Sequence, residues 1–203
     1  MKLIFVNRYF WPDESATSQM VSNLCVALAE RGWEVHAVTS RRLHRGTADA
    51  LKRRDQIAGV TIHRIWTAHI GGTHLAGRAA AYLSFYLTAL WRLLLLTRPG
   101  DVLIAATDPP LLSLLTWVLA AFAGAVRINW MQDLFPEVAV ELGVVRPGIE
   151  QQLLGYLRDR SLRHAAMNVA IGERMATYLE RRGTPWERLT VIHNWSDGEA
   201  VRR

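Results

Sequence analysis

Short, uninterrupted apolar runs alternate with helical stretches from one end of this chain to the other, and that alternation restricts the fold more than any other feature. The runs are Lys2 to Asn7, Val35 to Ser40, Val60 to Trp66, Asp101 to Thr107, Val126 to Met131, Met167 to Ile171 and Leu189 to His193. Apolar residues at successive positions, rather than at every second one, indicate strands buried on both faces. Such strands need helices above and below them, so the order predicts an α/β fold with a doubly wound, mostly parallel, Rossmann-like sheet and right-handed crossovers. No repeat or linker breaks the pattern, which predicts one domain over residues 1–193.

The helical stretches carry their own punctuation. Val21, Leu24, Cys25, Leu28 and Ala29 fall at helical spacing; Ser18 is placed to cap the start and Gly32 to stop the end. A long apolar helix is expected over Leu75 to Thr97, ended by Pro99 and Gly100, and another from Leu111 to about Phe122. Pro136 and Pro147 suit the first turns of two more, with Gly143 between them, and a last helix runs from Glu173 to Arg182 before Gly183. A basic loop is expected between the second and third strands.

Half of the 203 residues are hydrophobic and 21% are charged, which excludes a disordered chain. The single cysteine, Cys25, allows no internal disulfide, and the opening apolar run is too short for a secretory signal, so a cytoplasmic location is expected. The net charge of +6 is carried by 22 arginines against 2 lysines. Arg41, Arg42, His44, Arg45, Lys52, Arg53 and Arg54 form a cluster that suits phosphate groups or a solvated loop equally well. No nucleic-acid-binding motif accompanies it, and no nucleic-acid partner is expected. Leu111 to Val126 is uncharged but too short to span a bilayer. The longer stretch at Leu75 to Thr97 carries Arg78, Tyr82, Phe85 and Arg92 in one arc of the helix. That pattern suits contact with a membrane surface, or a core helix with two outward arginines.

In an open parallel sheet, ligands bind beyond the carboxyl ends of the strands, and four such exits are unusually polar. The first, RYFWPDESATS, places Asp13, Glu14, Ser15 and Thr17 ahead of a helix, where free amides and hydroxyls suit a phosphate or sugar oxygen; capping explains the hydroxyls as well. The second carries Thr107 and Asp108 before a proline pair. The third, WMQDLFPE, carries Gln132 and Asp133, with Glu137 one turn on; Asp133, flanked by Trp130 and Phe135, suits a general base or a loop tie. The fourth carries Gly172, Glu173 and Arg174. GxGxxG and P-loop glycines are missing, as are a GxSxG elbow and paired histidines or clustered cysteines, so ordinary dinucleotide binding, serine catalysis and a metal site are not expected.

Taken in order, MKLIFVNRYFWPDESATSQM, DVLIAATDPPLLSLL, WMQDLFPEVAVELG, AIGERMATYLERRG and LTVIHNWSD resemble the N-terminal domain of family 4 glycosyltransferases. The likeness is strongest to the enzymes of capsule, O-antigen and exopolysaccharide assembly. It implies a GT-B architecture, two Rossmann-like domains across a cleft, of which this chain is similar to the first only. Residues 194–203 then begin the interdomain linker, and the C-terminal donor-binding domain is absent, so the resemblance implies a chain inactive alone.

What the family implies for the residues follows its motifs. The loop Asp13 to Thr17 would lie by the acceptor and the donor phosphates, although Pro12, Asp13 and Glu14 stand where many relatives have glycine. Asp133 would contact the acceptor or act as base. Thr107, Asp108, Gln132, Glu137, Gly172, Glu173 and Arg174 would line the cleft. No cofactor or metal is implied beyond a nucleotide-sugar donor. A polyprenyl-diphosphate-linked or glycan acceptor, retention of configuration, and a peripheral position on the inner face of the plasma membrane are implied as well. The alternatives are a non-catalytic membrane- or glycan-binding module left from a truncated or split enzyme, and an unrelated Rossmann-like nucleotide-binding protein.

Overall fold

A computed structural model describes residues 1–44, 51–68 and 75–195. Arg45 of the basic cluster, His69, His74 and the chain after Trp195 lie outside the described residues. The elements follow the expected alternation: β1 (Lys2–Val6), α1 (Ala16–Glu30), β2 (Glu34–Ser40), β3 (Arg54–Ile57), β4 (Val60–Ile65), α2 (Leu75–Leu96), β5 (Val102–Ala105), α3 (Leu112–Ala123), β6 (Val126–Met131), α4 (Glu137–Glu141), α5 (Ile149–Arg163), β7 (Met167–Ala170), α6 (Glu173–Arg181) and β8 (Leu189–Val191). They build an eight-stranded sheet in the order β3-β4-β2-β1-β5-β6-β7-β8, parallel throughout except for the β3–β4 pair. The order reverses between β1 and β5, where a doubly wound sheet opens its ligand crevice.

Two local expectations are corrected. The basic loop contains β3, which pairs antiparallel with β4 through a tight turn at Ala58 (φ 44°) and Gly59 (φ 84°). As an edge strand, β3 leaves one side to solvent and tolerates the polar sequence RDQI that disguised it. At α1, Ser15 rather than Ser18 precedes the first turn, and Ser18 is buried inside the helix. Gly32 does take the left-handed conformation that ends α1.

Alternating side chains of each strand feed two cores. On one face Ile4, Val6, Val38, Leu103 and Ala105 pack against Phe85, Ala89 and Leu93 of α2 and Leu112 and Leu119 of α3. Full burial of such a leucine or phenylalanine contributes about 1.5–3 kcal/mol. Near the far edge Met131, Leu162, Leu179 and Leu189 join β6 and β8 to α5 and α6 on the same side. The opposite face is covered over β1, β2 and β4 by α1, through Met20, Val21 and Cys25. Over β5, β6 and β7 no described helix completes that cover. Phe5, Ile104, Ile128, Trp130 and Val169 floor an apolar trough of about 320 Å³, edged by Trp195, whose ring stacks on Trp130 at 5.6 Å.

Polar strand residues on the buried side tie neighbouring elements together. Arg127 donates to the carbonyls of Ser113 and Ser161, and Asn129 donates to Asn168 Oδ1 at 2.8 Å. These contacts lock β6 and β7 to α3 and α5 where an unpaired group would cost about 1–3 kcal/mol.

Candidate functional site

The rim above the carboxyl ends of β1, β2, β5 and β6 is built by loops that hold one another. Arg8 N–H donates to Asp108 O at 2.6 Å, and Arg8 O accepts from Ser40 N–H and Thr39 Oγ1, so the exits of β1, β2 and β5 form one unit. The Arg8 guanidinium carbon lies 4.9 Å from the Tyr9 ring centre and 5.0 Å from that of Tyr82, a cation–π sandwich worth about 0.5–2 kcal/mol. Cis peptide bonds precede Pro12, Pro109 and Pro136, all in rim loops.

Asp13 is buried, and both of its oxygens are committed. Oδ1 accepts from Ser15 N–H at 2.9 Å and from Ser15 Oγ at 2.5 Å, while Oδ2 accepts from the backbone N–H of His44. The pair expected to meet a phosphate therefore fastens its own loop to the loop after β2. Glu14 is exposed and Thr17 half-buried at the open end of α1, where no side chain caps the first turn.

Asp108 differs from its neighbours. Burial pushes its carboxyl up to about 6; Arg8 and His44 oppose that rise, and Asp13 and Asp133 add to it. Asp13 and Asp133, from two other strand exits, thus lie within electrostatic reach of Asp108, although among the described residues no group is arranged to hold a metal. The Asp108 carboxylate accepts no hydrogen bond from the described residues, which leaves it free for a substrate hydroxyl. Burial likewise pushes the Tyr9 phenol up to about 12, with Arg8 opposing.

Thr107 and Asp133 meet across a small cavity of about 90 Å³, closed by Pro110, Leu111, Phe135 and Val138 and floored by Asn129, Ser113 and Arg158. Asp133 is exposed at its mouth, and Gln132 beside it keeps a buried amide nitrogen without a partner. The Asn129 carbonyl oxygen is also buried and unpaired. Leu111 holds a left-handed backbone (φ 64°) at the start of α3, a conformation that costs a leucine about 1–2 kcal/mol and turns the loop over the cavity. Asn129, Ser113 and Arg158 escaped the sequence reading. The available signal was polar residues at alternate positions of an otherwise apolar strand, Arg127 and Asn129.

Glu137 does not join the opening. Burial raises its carboxyl, but the Arg158 fork, at 2.5 and 2.8 Å, and the Tyr178 hydroxyl, at 2.5 Å, outweigh that and hold it below the usual range. Arg158 also pairs with Asp159, which binds Arg182, so the group fastens α4, α5 and α6 together. Gly172, Glu173 and Arg174 stand at the start of α6. Gly172 has open space around it, and Glu173 and Arg174 are exposed.

The expected membrane arc of α2 is corrected in two positions. Phe85 is fully buried in the core, and Tyr82 lies under Arg8 as part of the rim. Arg78 is exposed, and Arg92 is half-buried with an Nη2–H donated to His63 Nδ1 at 2.7 Å. The outward face instead presents Leu83, Leu87, Trp91, Leu94 and Leu95.

Residues 15–195 match the glycosyl transferase 4-like domain family. No curated protein sequence matches the chain. Among solved structures it is similar to sucrose-phosphate synthase from Thermosynechococcus elongatus, at TM-score 0.68 and 13% identity over 95% of this chain and 48% of that one. It is also similar to HepE from Anabaena in complex with UDP-glucose, at TM-score 0.57 and 12% identity over 97% and 44%. The catalytic domain of starch synthase IV from Arabidopsis thaliana, bound to ADP and acarbose, aligns at TM-score 0.63 and 12% identity over 98% and 52%. The chain spans about half the length of these structures, and the likeness is one of fold.

Proposed function

Since the chain belongs to the glycosyl transferase 4-like domain family, we propose that it is the acceptor-side domain of a retaining glycosyltransferase of GT-B fold, moving sugar from a nucleotide-sugar to a lipid-linked or polysaccharide acceptor in cell-envelope assembly. The donor would be held by a second domain facing the rim, and the lobe alone would not turn over. Two observations favour a second domain beside this one: the chain spans about half of its structural neighbours, and no described helix supplies over β5 to β7 the cover that a parallel sheet requires. The acceptor would be a polyprenyl-diphosphate-linked sugar or glycan on the cytoplasmic side of the inner membrane.

The observation that carries the chemistry is the Asp108 carboxyl at about 6, in a rim shared with Asp13 and Asp133. Glycosyl transfer leaves the acceptor hydroxyl with a proton to lose as its oxygen bonds to the anomeric carbon and the nucleotide departs. A carboxylate that titrates just below neutrality is mostly ionised at pH 7–8 and basic enough to accept that proton. Asp108 takes the base role that the sequence favoured for Asp133. Asp133, exposed at the mouth of the cavity with Thr107, orients the acceptor.

The test supplies a matching nucleotide-sugar-binding domain and measures transfer to a polyprenyl-linked acceptor, with product configuration read by NMR. Activity should rise with pH through an acid limb near 6 and then level. Asp108→Asn should remove the limb and lower kcat by about 100-fold or more, and Asp133→Asn should raise KM. An unchanged pH profile in Asp108→Asn would refute the base assignment; an inverted product would refute retention.

A further inference from the structure

Helix α2 is apolar enough over Ala76–Leu96 to cross a membrane, yet only 22% of its apolar 18-residue window is buried in the fold. Its outward side chains are large: Leu83 is 61% exposed, Leu87 61%, Trp91 67%, Leu94 50% and Leu95 64%. At 100° per residue they fall within a 120° arc, a continuous ridge rather than scattered leucines.

The ridge is not isolated. Leu87 and Trp91 form one wall of an open cleft of about 580 Å³, whose other walls are Trp66 and the arginines Arg41, Arg53, Arg54 and Arg92. Arg53 and Arg54 are exposed and make no ion pair among the described residues. Arg64, by contrast, is spoken for by Asp55 and the carbonyl of Trp11.

Arg92 is held in a way that preserves its charge. A guanidinium can only donate, so His63 accepts at Nδ1 and carries its proton on Nε2. That proton is donated to His36 Nδ1 at 2.9 Å, and His36 in turn donates from Nε2 to Glu34 at 3.1 Å. The buried partner of Arg92 is therefore a neutral imidazole. It fixes one N–H and leaves the positive charge unneutralised beside the cleft.

We propose that this face of α2 and the adjoining arginine cleft dock on an anionic lipid bilayer, the leucine and tryptophan ridge entering the headgroup–acyl boundary while Arg53, Arg54 and Arg92 receive lipid phosphates. Cations edging an apolar helix face with tryptophan at the junction match both layers of such a surface. A protein partner would have to place apolar side chains and unpaired carboxylates in the same order. The inference rests on the functional reading only in expecting a membrane-borne acceptor, and it is tested without sugar transfer, so the two can fail separately.

The experiment is flotation of the chain with vesicles of phosphatidylcholine alone or mixed with phosphatidylglycerol, at low and high salt. Binding should require phosphatidylglycerol and weaken steeply with salt. Arg53→Gln with Arg54→Gln should weaken it roughly thirtyfold. Leu83→Asn, Leu87→Asn and Trp91→Asn together should abolish it, with an unchanged circular dichroism spectrum. Equal binding to both vesicles, or no loss in either variant, would overturn the proposal. A dimer in sedimentation that the apolar variant dissolves, without vesicle binding, would assign the face to a second copy of the chain and overturn it as well.

Discussion

The backbone N–H of Arg8 donates to the carbonyl of Asp108 at 2.6 Å, so the exit of the first strand fixes the position of the carboxyl that leaves the fifth. The same residue lays its guanidinium against Tyr9 and Tyr82, which brings a helix from the other end of the unit into the rim. Burial of Asp108 against this framework raises its carboxyl to about 6, because Arg8 and His44 offset only part of the lost solvation.

That rise has a stability cost with a defined sign. A carboxyl lifted from 3.8 to about 6 binds its proton more tightly in the folded chain, so its contribution declines as pH climbs from about 4 to 6 and stays reduced above. Asp108→Asn, which cannot ionise, should therefore be more stable than the parent at pH 8 by up to about 3 kcal/mol. At pH 4 the difference should shrink toward zero. Urea unfolding at both values measures it; equal differences at the two would show that ionisation is not the cause.

The Glu137–Arg158–Asp159–Arg182 network should behave in the opposite way. Arg158→Met leaves Glu137 without its cation and Asp159 with Arg182 alone, and should destabilise by about 3–5 kcal/mol at pH 7. Glu137 is held below its usual range, so its contribution is present above about 4.5 and is lost as pH falls through the lowered value. Denaturation midpoints of Glu137→Gln and the parent should consequently converge in acid.

Ala58 offers a gain. It occupies a positive-φ position in the two-residue turn between β3 and β4, where Asn-Gly is the preferred pair. Ala58→Asn should raise stability by about 0.5–1 kcal/mol, seen as a higher Tm. A Tm unchanged or lowered would show that the exposed turn is not under backbone strain.

Cys25 should be silent until the fold opens. Its side chain is fully buried against the sheet, and burial pushes the thiol well above its ordinary value. Labelling by a thiol-reactive dye should be slow in native buffer and accelerate with urea in step with unfolding. Rapid native labelling would show that α1 detaches from the sheet without global unfolding.

The succession of elements was legible because strands buried on both faces must be apolar at every position, and because proline and glycine punctuate helices locally. The run Val126 to Met131 is reproduced residue for residue, and Gly32 stops its helix as expected. The strand exits were legible too, since polar residues crowd where the apolar runs end. The strand at Arg54–Ile57 was not, because an edge strand needs no apolar code and borrows its order from β4.

The sequence by itself thus determined the order of strands and helices, the parallel sheet and the family likeness, all of which depend on patterns within a few residues. Only the tertiary structure decided what each polar group is for. Asp13, Asp108, Asp133 and Glu137 are all acids near strand ends, yet one is bound by its own loop, one is held near neutrality, one is exposed, and one is clamped by Arg158. It also turned α2 so that Phe85 faces the core and Trp91 faces outward. Charge state and facing depend on solvation and on partners distant along the chain, and those exist only once the layers have packed.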